Sequence, residues 1–263
     1  MTLLDAHART SRMGRVNPVA KLGAAAVITI PLVLTLDVVS ATVALMLELL
    51  LMPLAGLGWR EFWARTWIVW VLAPLTGLTI ALYGRTSGEV YVQWLFVTVS
   101  EGSLVLALAT TIRVLAIALP SVVLFASVDP TDLADGLGQV LRLPARFVLG
   151  ALAGLRMVGL FLDDWRALEL ARRARGVADR GRLRRFLGMA FALLVLALRR
   201  GTKLATAMEA RAFGAPGERT WARESRFGGA EWALLAVGVA IALVATAAAL
   251  AAGTWNFILG PGA

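Results

Sequence analysis

Two arginines are placed where they can recognise a partner. Arg175 lies in Ala174-Arg175-Gly176 and Arg211 in Ala210-Arg211-Ala212, each at the end of a long stretch with helical patterning. A guanidinium between small residues is a planar, permanently charged fork with nothing bulky beside it. A groove lined with carboxylates can accept it in bidentate fashion. Arginine is also favoured at any helix C-terminus by the exposed carbonyls there, so Arg175 alone reads equally well as the ordinary companion of a Gly176 C-cap. The recurrence of Ala-Arg-small at the ends of two similar stretches points beyond that.

A second constellation lies inside apolar runs. Glu48 and Arg113 each fall about ten residues from the outer end of a run, where a charge costs several kcal/mol unless paired or hydrated. They are expected to face each other as an intramembrane clamp. Other chemistry is thin. The chain has no cysteine and a single histidine, His7, which excludes thiolate metal sites, histidine clusters and a histidine-based triad. Asp163-Asp164 is the nearest candidate for a membrane enzyme such as a lipid-headgroup transferase, but no second acid pair or metal-ligand spacing supports it. Both are expected on a helix surface, and neither a cofactor nor a metal is expected. No Gly-x-x-x-x-Gly-Lys-Ser/Thr loop exists, so any ATP must be hydrolysed by a partner.

The elements that position these residues follow from composition. At 59% hydrophobic residues and a mean hydropathy of +0.77, the chain is a polytopic membrane protein. Its formal charge is +9, and residues 128–229 hold 18 of the 26 Lys and Arg against 10 of the 17 acids, a local excess of +8. Such a block beside membrane spans belongs on the cytoplasmic side. Apolar runs through the block and the lack of an RNA-binding signature exclude nucleic acid as its partner.

Three regions follow in order: 1–127, an N-terminal arm and a membrane bundle of four spans; 128–229, cytoplasmic and interfacial helices; and 230–263, a final span and an outer tail. The arm, with Arg9, Arg12 and Arg15, resembles the start of a signal peptide. A second apolar run follows the first too closely for cleavage, however. The first four spans are expected over 20–36, 38–57, 67–83 and 103–127. Between the second and third, Gly58 to Arg65 reads as an interfacial turn with tryptophans at headgroup level. Pro74 and Gly77 suggest a kink in the third span. Residues 90–99 are too short to cross as a helix and suit the outer interface. A lone strand there would leave backbone groups unpaired in lipid.

After Asp129-Pro130, where Asp129 can cap a short helix, two rods begin. The first runs from Pro144 to Gly176 and the second from Leu183 to Gly214, each apolar first and polar later. Some 30 residues of helix reach about 45 Å, more than a bilayer core. Gly150 and Gly154 on one rod and Gly188 and Ala192 on the other form small-residue faces, where the rods are expected to cross. The fold expected is all-α, with about five transmembrane helices, long crossed cytoplasmic helices, a cytoplasmic N-terminus and an outer C-terminus.

With these residues in view, the sequence resembles the T component, the scaffold membrane subunit of energy-coupling factor importers for vitamins and metal ions. The resemblance runs over nearly the whole chain. It rests on Asn17-Pro18-Val19-Ala20-Lys21-Leu22, Arg113, Asp129-Pro130-Thr131-Asp132-Leu133, Leu143-Pro144, Leu155-Arg156-Met157, Ala174-Arg175-Gly176 and Glu209-Ala210-Arg211-Ala212-Phe213-Gly214. It implies that Arg175 and Arg211 dock into two cytoplasmic ABC-type ATPases. Ala212 departs mildly from the Gly or Ser of many members. It further implies that the apolar helix faces hold a membrane-embedded, substrate-binding S component. The chain would then be a non-catalytic subunit in the bacterial cell membrane, its cargo chosen by the S component. A conventional ABC importer permease, which couples through one short helix, fits the duplicated motif less well.

Overall fold

The computed structural model describes residues 13–35, 37–56, 58–84, 87–94, 97–176, 181–214 and 220–255. The part of the arm with His7, Arg9 and Arg12, most of the turn between the rods and the end of the C-terminal tail lie outside them. After a short turn, Met13–Arg15, the elements are α1 (Pro18–Leu34), α2 (Val38–Leu51), α3 (Trp59–Tyr83), β1 (Val90–Trp94), β2 (Val97–Ser100), α4 (Glu101–Phe125), α5 (Pro130–Gln139), α6 (Ala145–Ala174), α7 (Arg182–Ala210) and α8 (Gly229–Ala251). The protein is essentially all-α. Contacts divide it into two units, Met1–Leu133 with Arg226–Ala263, and Ala134–Ser225.

The first unit is a helix bundle in which α4 packs against α1, α2 and α3, while α8 packs against α1 and α2. Its buried positions are largely small: Ala41, Ala44, Ala116, Ala245 and Ala249. Large side chains such as Met46, Leu50 and Leu243 point outward. Lipid tails are as apolar as leucine, so burying large residues gains little there, and close backbone approach decides the packing. At Gly77 an added Cβ would lie 2.0 Å from Thr111 Oγ1, and at Gly238 it would lie 3.3 Å from the Ala24 carbonyl.

Among the described residues, four helices are long and apolar enough to cross a membrane: α3, α4, α6 and α8. The first apolar run forms a helix of the expected 17 residues, and the second a shorter one than expected, 14 residues. At 1.5 Å per residue they reach about 26 and 21 Å, short of a 30 Å core. Residues 59–65 are not an interfacial turn. They are the first turns of α3, where Phe62 packs within 6 Å of both Trp59 and Trp63.

The stretch expected at the outer interface holds two antiparallel strands, β1 and β2, with Trp94 opposite Val97 and Gln93 opposite Thr98. The strands pair with each other, which answers the backbone problem a lone strand would have. Ser100 then caps α4, its side chain accepting from the Ser103 N–H.

In the second unit, α6 and α7 run antiparallel. Trp165 meets Phe186 with ring centroids 5.6 Å apart, and the Arg172 guanidinium lies 3.0 Å from where a Cβ on Gly188 would stand. The Gln139 amide, at the end of α5, is bonded on both sides by the segment that leads back out of the unit. Its Nε2 donates to the Arg223 carbonyl and its Oε1 accepts from the Ser225 N–H, both at 2.8 Å.

Candidate functional site

The two arginine motifs sit at equivalent places. Arg175 is the C-cap of α6 and Arg211 the C-cap of α7. The residue after each has left-handed backbone, Gly176 at φ +66° and Ala212 at φ +53°. The Gly176 N–H donates to the Arg173 carbonyl at 3.0 Å, and the Ala212 N–H to Glu209 at 2.9 Å. The Phe213 N–H closes back onto Met208 at 2.9 Å, completing a Schellman cap. Helix termination therefore explains the small third residue of each motif. It does not explain the arginines, whose side chains are exposed and have no ion-pair or hydrogen-bond partner among the described residues.

Alanine in the left-handed region costs roughly 1 kcal/mol or more that glycine avoids. Ala212→Gly is thus expected to slow hydrogen exchange at the amides of Ala212 and Phe213 by about fivefold, without changing the arginine. Equal exchange rates would mean that the cap is unstrained.

Besides Trp165 and Phe186, two acids in the polar half of α6 join the rods through arginines of α7. Asp164 binds Arg200 through two contacts, the Nη2–Oδ1 one at 3.0 Å. Glu169 takes Arg185 at 2.5 Å and Arg173 at 2.9 Å. Asp163 faces elsewhere, exposed and 3.6 Å from Arg166. The two aspartates thus serve different cations and do not form a chelating pair, and no cluster suited to a metal occurs among the described residues.

The expected crossing on small faces differs from this arrangement. A Cβ added at Gly150 or Gly154 meets nothing within 4 Å among the described residues. Gly188 receives an arginine rather than a helix backbone, and Ala192 is half-buried. The ion pairs draw the rods together nearer their connecting turn, leaving the apolar half of α6 open. Of the apolar window of α6, 6% is buried. Phe147, Leu155 and Leu162 on α6 and Phe191 and Leu198 on α7 are exposed. Between the halves lies an open groove of about 800 Å³, lined by Leu149, Leu152 and Met157 from α6 and by Met208, Arg211 and Phe213 at the end of α7.

Glu48 and Arg113 do not meet. Arg113, halfway along α4, donates to the Thr35 carbonyl at the tip joining α1 and α2, and Asp37 is the acid that acts on it. Asp37 also caps α2, accepting from the Ser40 N–H at 2.8 Å. Glu48 lies 11 residues further along α2, which is about 16 Å at helical rise. It lines a cavity of about 100 Å³ with Leu119, Pro120 and Val123 of α4, and neither carboxyl oxygen has a hydrogen-bond partner among the described residues. Because α2 starts opposite Arg113, the helical rise carries Glu48 past it. Sequence reasoning missed Asp37 as the acid near Arg113, although Asp37 ahead of Ser40 is a legible N-cap.

Comparison with known proteins meets this geometry. The family model CbiQ, cobalt transport protein, matches residues 10–221. The energy-coupling factor transporter transmembrane protein EcfT of Limosilactobacillus fermentum (strain CECT 5716 / Lc40) is 30% identical over 191 residues, 67% of this chain and 70% of that protein. The EcfT protein of Bacillus selenitireducens (strain ATCC 700615 / DSM 15326 / MLS10) is 27% identical over 237 residues, 85% and 87% of the two chains. A multi-pass helical membrane protein with two rods that end in matching arginine caps, it belongs to the CbiQ/EcfT family of energy-coupling factor transporter transmembrane components.

Proposed function

We propose that the chain is the coupling scaffold of an energy-coupling factor importer, transmitting motion from two cytoplasmic ABC-type ATPases to a membrane-embedded S component that binds a vitamin or metal ion. Arg175 and Arg211 dock the two ATPases, identical or different. The exposed apolar faces of α6 and α7 receive the S component and lipid. The chain hydrolyses nothing itself. It sits in the bacterial cell membrane with its N-terminus cytoplasmic and its C-terminus outside, as the basic block requires.

One observation carries this reading: two guanidinia with no partner among the described residues cap antiparallel rods at opposite ends. The 29 residues of α7 set them roughly 40 Å apart along its axis, too far for one groove to take both. Two grooves whose separation changes on ATP binding would drive the rods directly. The ion pairs of Asp164 and Glu169 tie the rods to each other, so that movement of either docked end is passed to both.

The test is a detergent pull-down of the tagged chain from its native membrane, with every copurifying chain identified by mass. Two ATPase chains and a small, very hydrophobic membrane protein are expected. Recovery alone, or with a periplasmic binding protein, overturns the reading in favour of a conventional permease.

A further inference from the structure

The chain passes from the membrane unit to the unit of α6 and α7 twice, between Leu133 and Ala134 and back between Ser225 and Arg226. We propose that Asn17 and Lys21, on the first turn of α1, are positioning residues that anchor both connections at their membrane ends. Only the transport readout below rests on the coupling function.

Lys21 is fully buried, and its ammonium donates to Ser127 Oγ at 2.8 Å and the Ser127 carbonyl at 3.5 Å. Ser127 stands between the end of α4 and the start of α5, the outgoing connection. Arg65 of α3 adds a second cation to the same corner, donating to the Ala126 carbonyl at 3.0 Å. Asp132 in the first turn of α5 is the acid that acts on Lys21. One helical turn away, the Asn17 Nδ2 donates to the Arg226 carbonyl at 2.9 Å, on the returning connection. The same side chain caps α1 through Oδ1, and the Asn17 N–H reaches Glu231 Oε1 at 3.0 Å. Glu231 Oε2 in turn accepts from the Gly228 N–H at 2.8 Å.

A buried ammonium is expensive unless it is hydrogen-bonded, and a methionine would fill the same space at no such cost. Here the cation is spent on Ser127, chiefly its hydroxyl, six residues before the chain leaves the first unit, and the amide on the Arg226 carbonyl, where the chain returns to it. Pinned there, a displacement of α6 and α7 reaches α1, α4 and α8. Unpinned, it is absorbed in the connections.

The chain lacks cysteine, so a spin-labelled pair can be introduced at exposed sites without background: Leu50→Cys on α2 and Leu170→Cys on α6. Electron–electron resonance gives the distance distribution in the full-length chain, purified with whatever partners accompany it. Lys21→Met and Asn17→Ser, the latter keeping a capping oxygen, are each expected to broaden that distribution at unchanged helical content. In the reconstituted complex they lower cargo transported per ATP by about tenfold while ATPase recovery is unchanged. Lys21→Arg, which keeps a donor, restores both readouts. If Lys21→Met unfolds, Asn17→Ser carries the measurement. A wild-type distribution and transport ratio in the folded variants overturn the anchor. Broadening in a chain that recruits no ATPase supports the anchor and sinks the coupling function.

Discussion

Reversing both capping arginines, Arg175→Glu with Arg211→Glu, is expected to abolish recovery of the ATPases with the chain while leaving insertion and helical content intact. The fold should not respond, because neither guanidinium has an internal partner among the described residues and both are exposed. The local cost is a carboxylate at a helix C-terminus, about 0.3–1 kcal/mol at each end. Assembly should respond strongly. Removing one partner of a desolvated charge pair costs roughly 2–5 kcal/mol, and reversal adds repulsion. Each single reversal should therefore weaken binding by at least about 30-fold. Two sites engaged together lose avidity as well, so the double variant falls further than either alone. Arg175→Lys should lie between, since lysine keeps the charge but not the fork. Arg166→Glu is the control, an exposed arginine paired at the surface, and should copurify like the unaltered chain. Quantitative mass spectrometry of the recovered complex decides it. Wild-type recovery in the double variant removes Arg175 and Arg211 from the interface.

Which parts of this were legible in the sequence depends on how local the cause is. The ends of α6 and α7 were readable because capping is decided within a few residues: Arg-Gly and Arg-Ala place the turn, and the polar run before each places the helix. Asp129 was readable for the same reason, and its Oδ1 accepts from the Thr131 N–H at 2.7 Å. The helices of the bundle announced themselves by length and hydropathy.

Register between helices was not legible. Placing Glu48 opposite Arg113 assumed that every apolar run crosses the whole bilayer, so that position along a run measures depth. The short hairpin of α1 and α2 breaks that assumption and puts its tip, not Glu48, beside Arg113. The Gly150 and Gly154 face misled in a related way. Small residues permit close approach, but they do not cause it, and the ion pairs of Asp164 and Glu169 set where the rods meet. The pairing of β1 with β2 required a partner strand that only the neighbouring residues could supply.

The contrast between Glu48 and Arg113 supplies the sharpest test of the bundle. Arg113→Met takes the donor from the Thr35 carbonyl and the cation from the buried Asp37, so it should lower stability by about 3 kcal/mol. Pairing it with Asp37→Asn, which removes the orphaned charge, should recover part of that loss. Glu48→Leu is expected to go the other way. Its carboxyl has no partner among the described residues and faces an apolar cavity of about 100 Å³, so a leucine removes a desolvated polar group and fills empty space. A gain of about 1–2 kcal/mol follows, read as a higher thermal midpoint in detergent. Had the two residues formed a clamp, Glu48→Leu would strand a buried guanidinium and cost roughly 3–5 kcal/mol. The sign of that one substitution therefore separates the two arrangements. The double variant checks it independently: groups that do not touch should give additive changes to within about 0.5 kcal/mol, whereas a clamp would show a large interaction energy. A destabilised Glu48→Leu protein would mean that the carboxyl has a partner which this bundle does not show, and the register of α2 against α4 would have to shift.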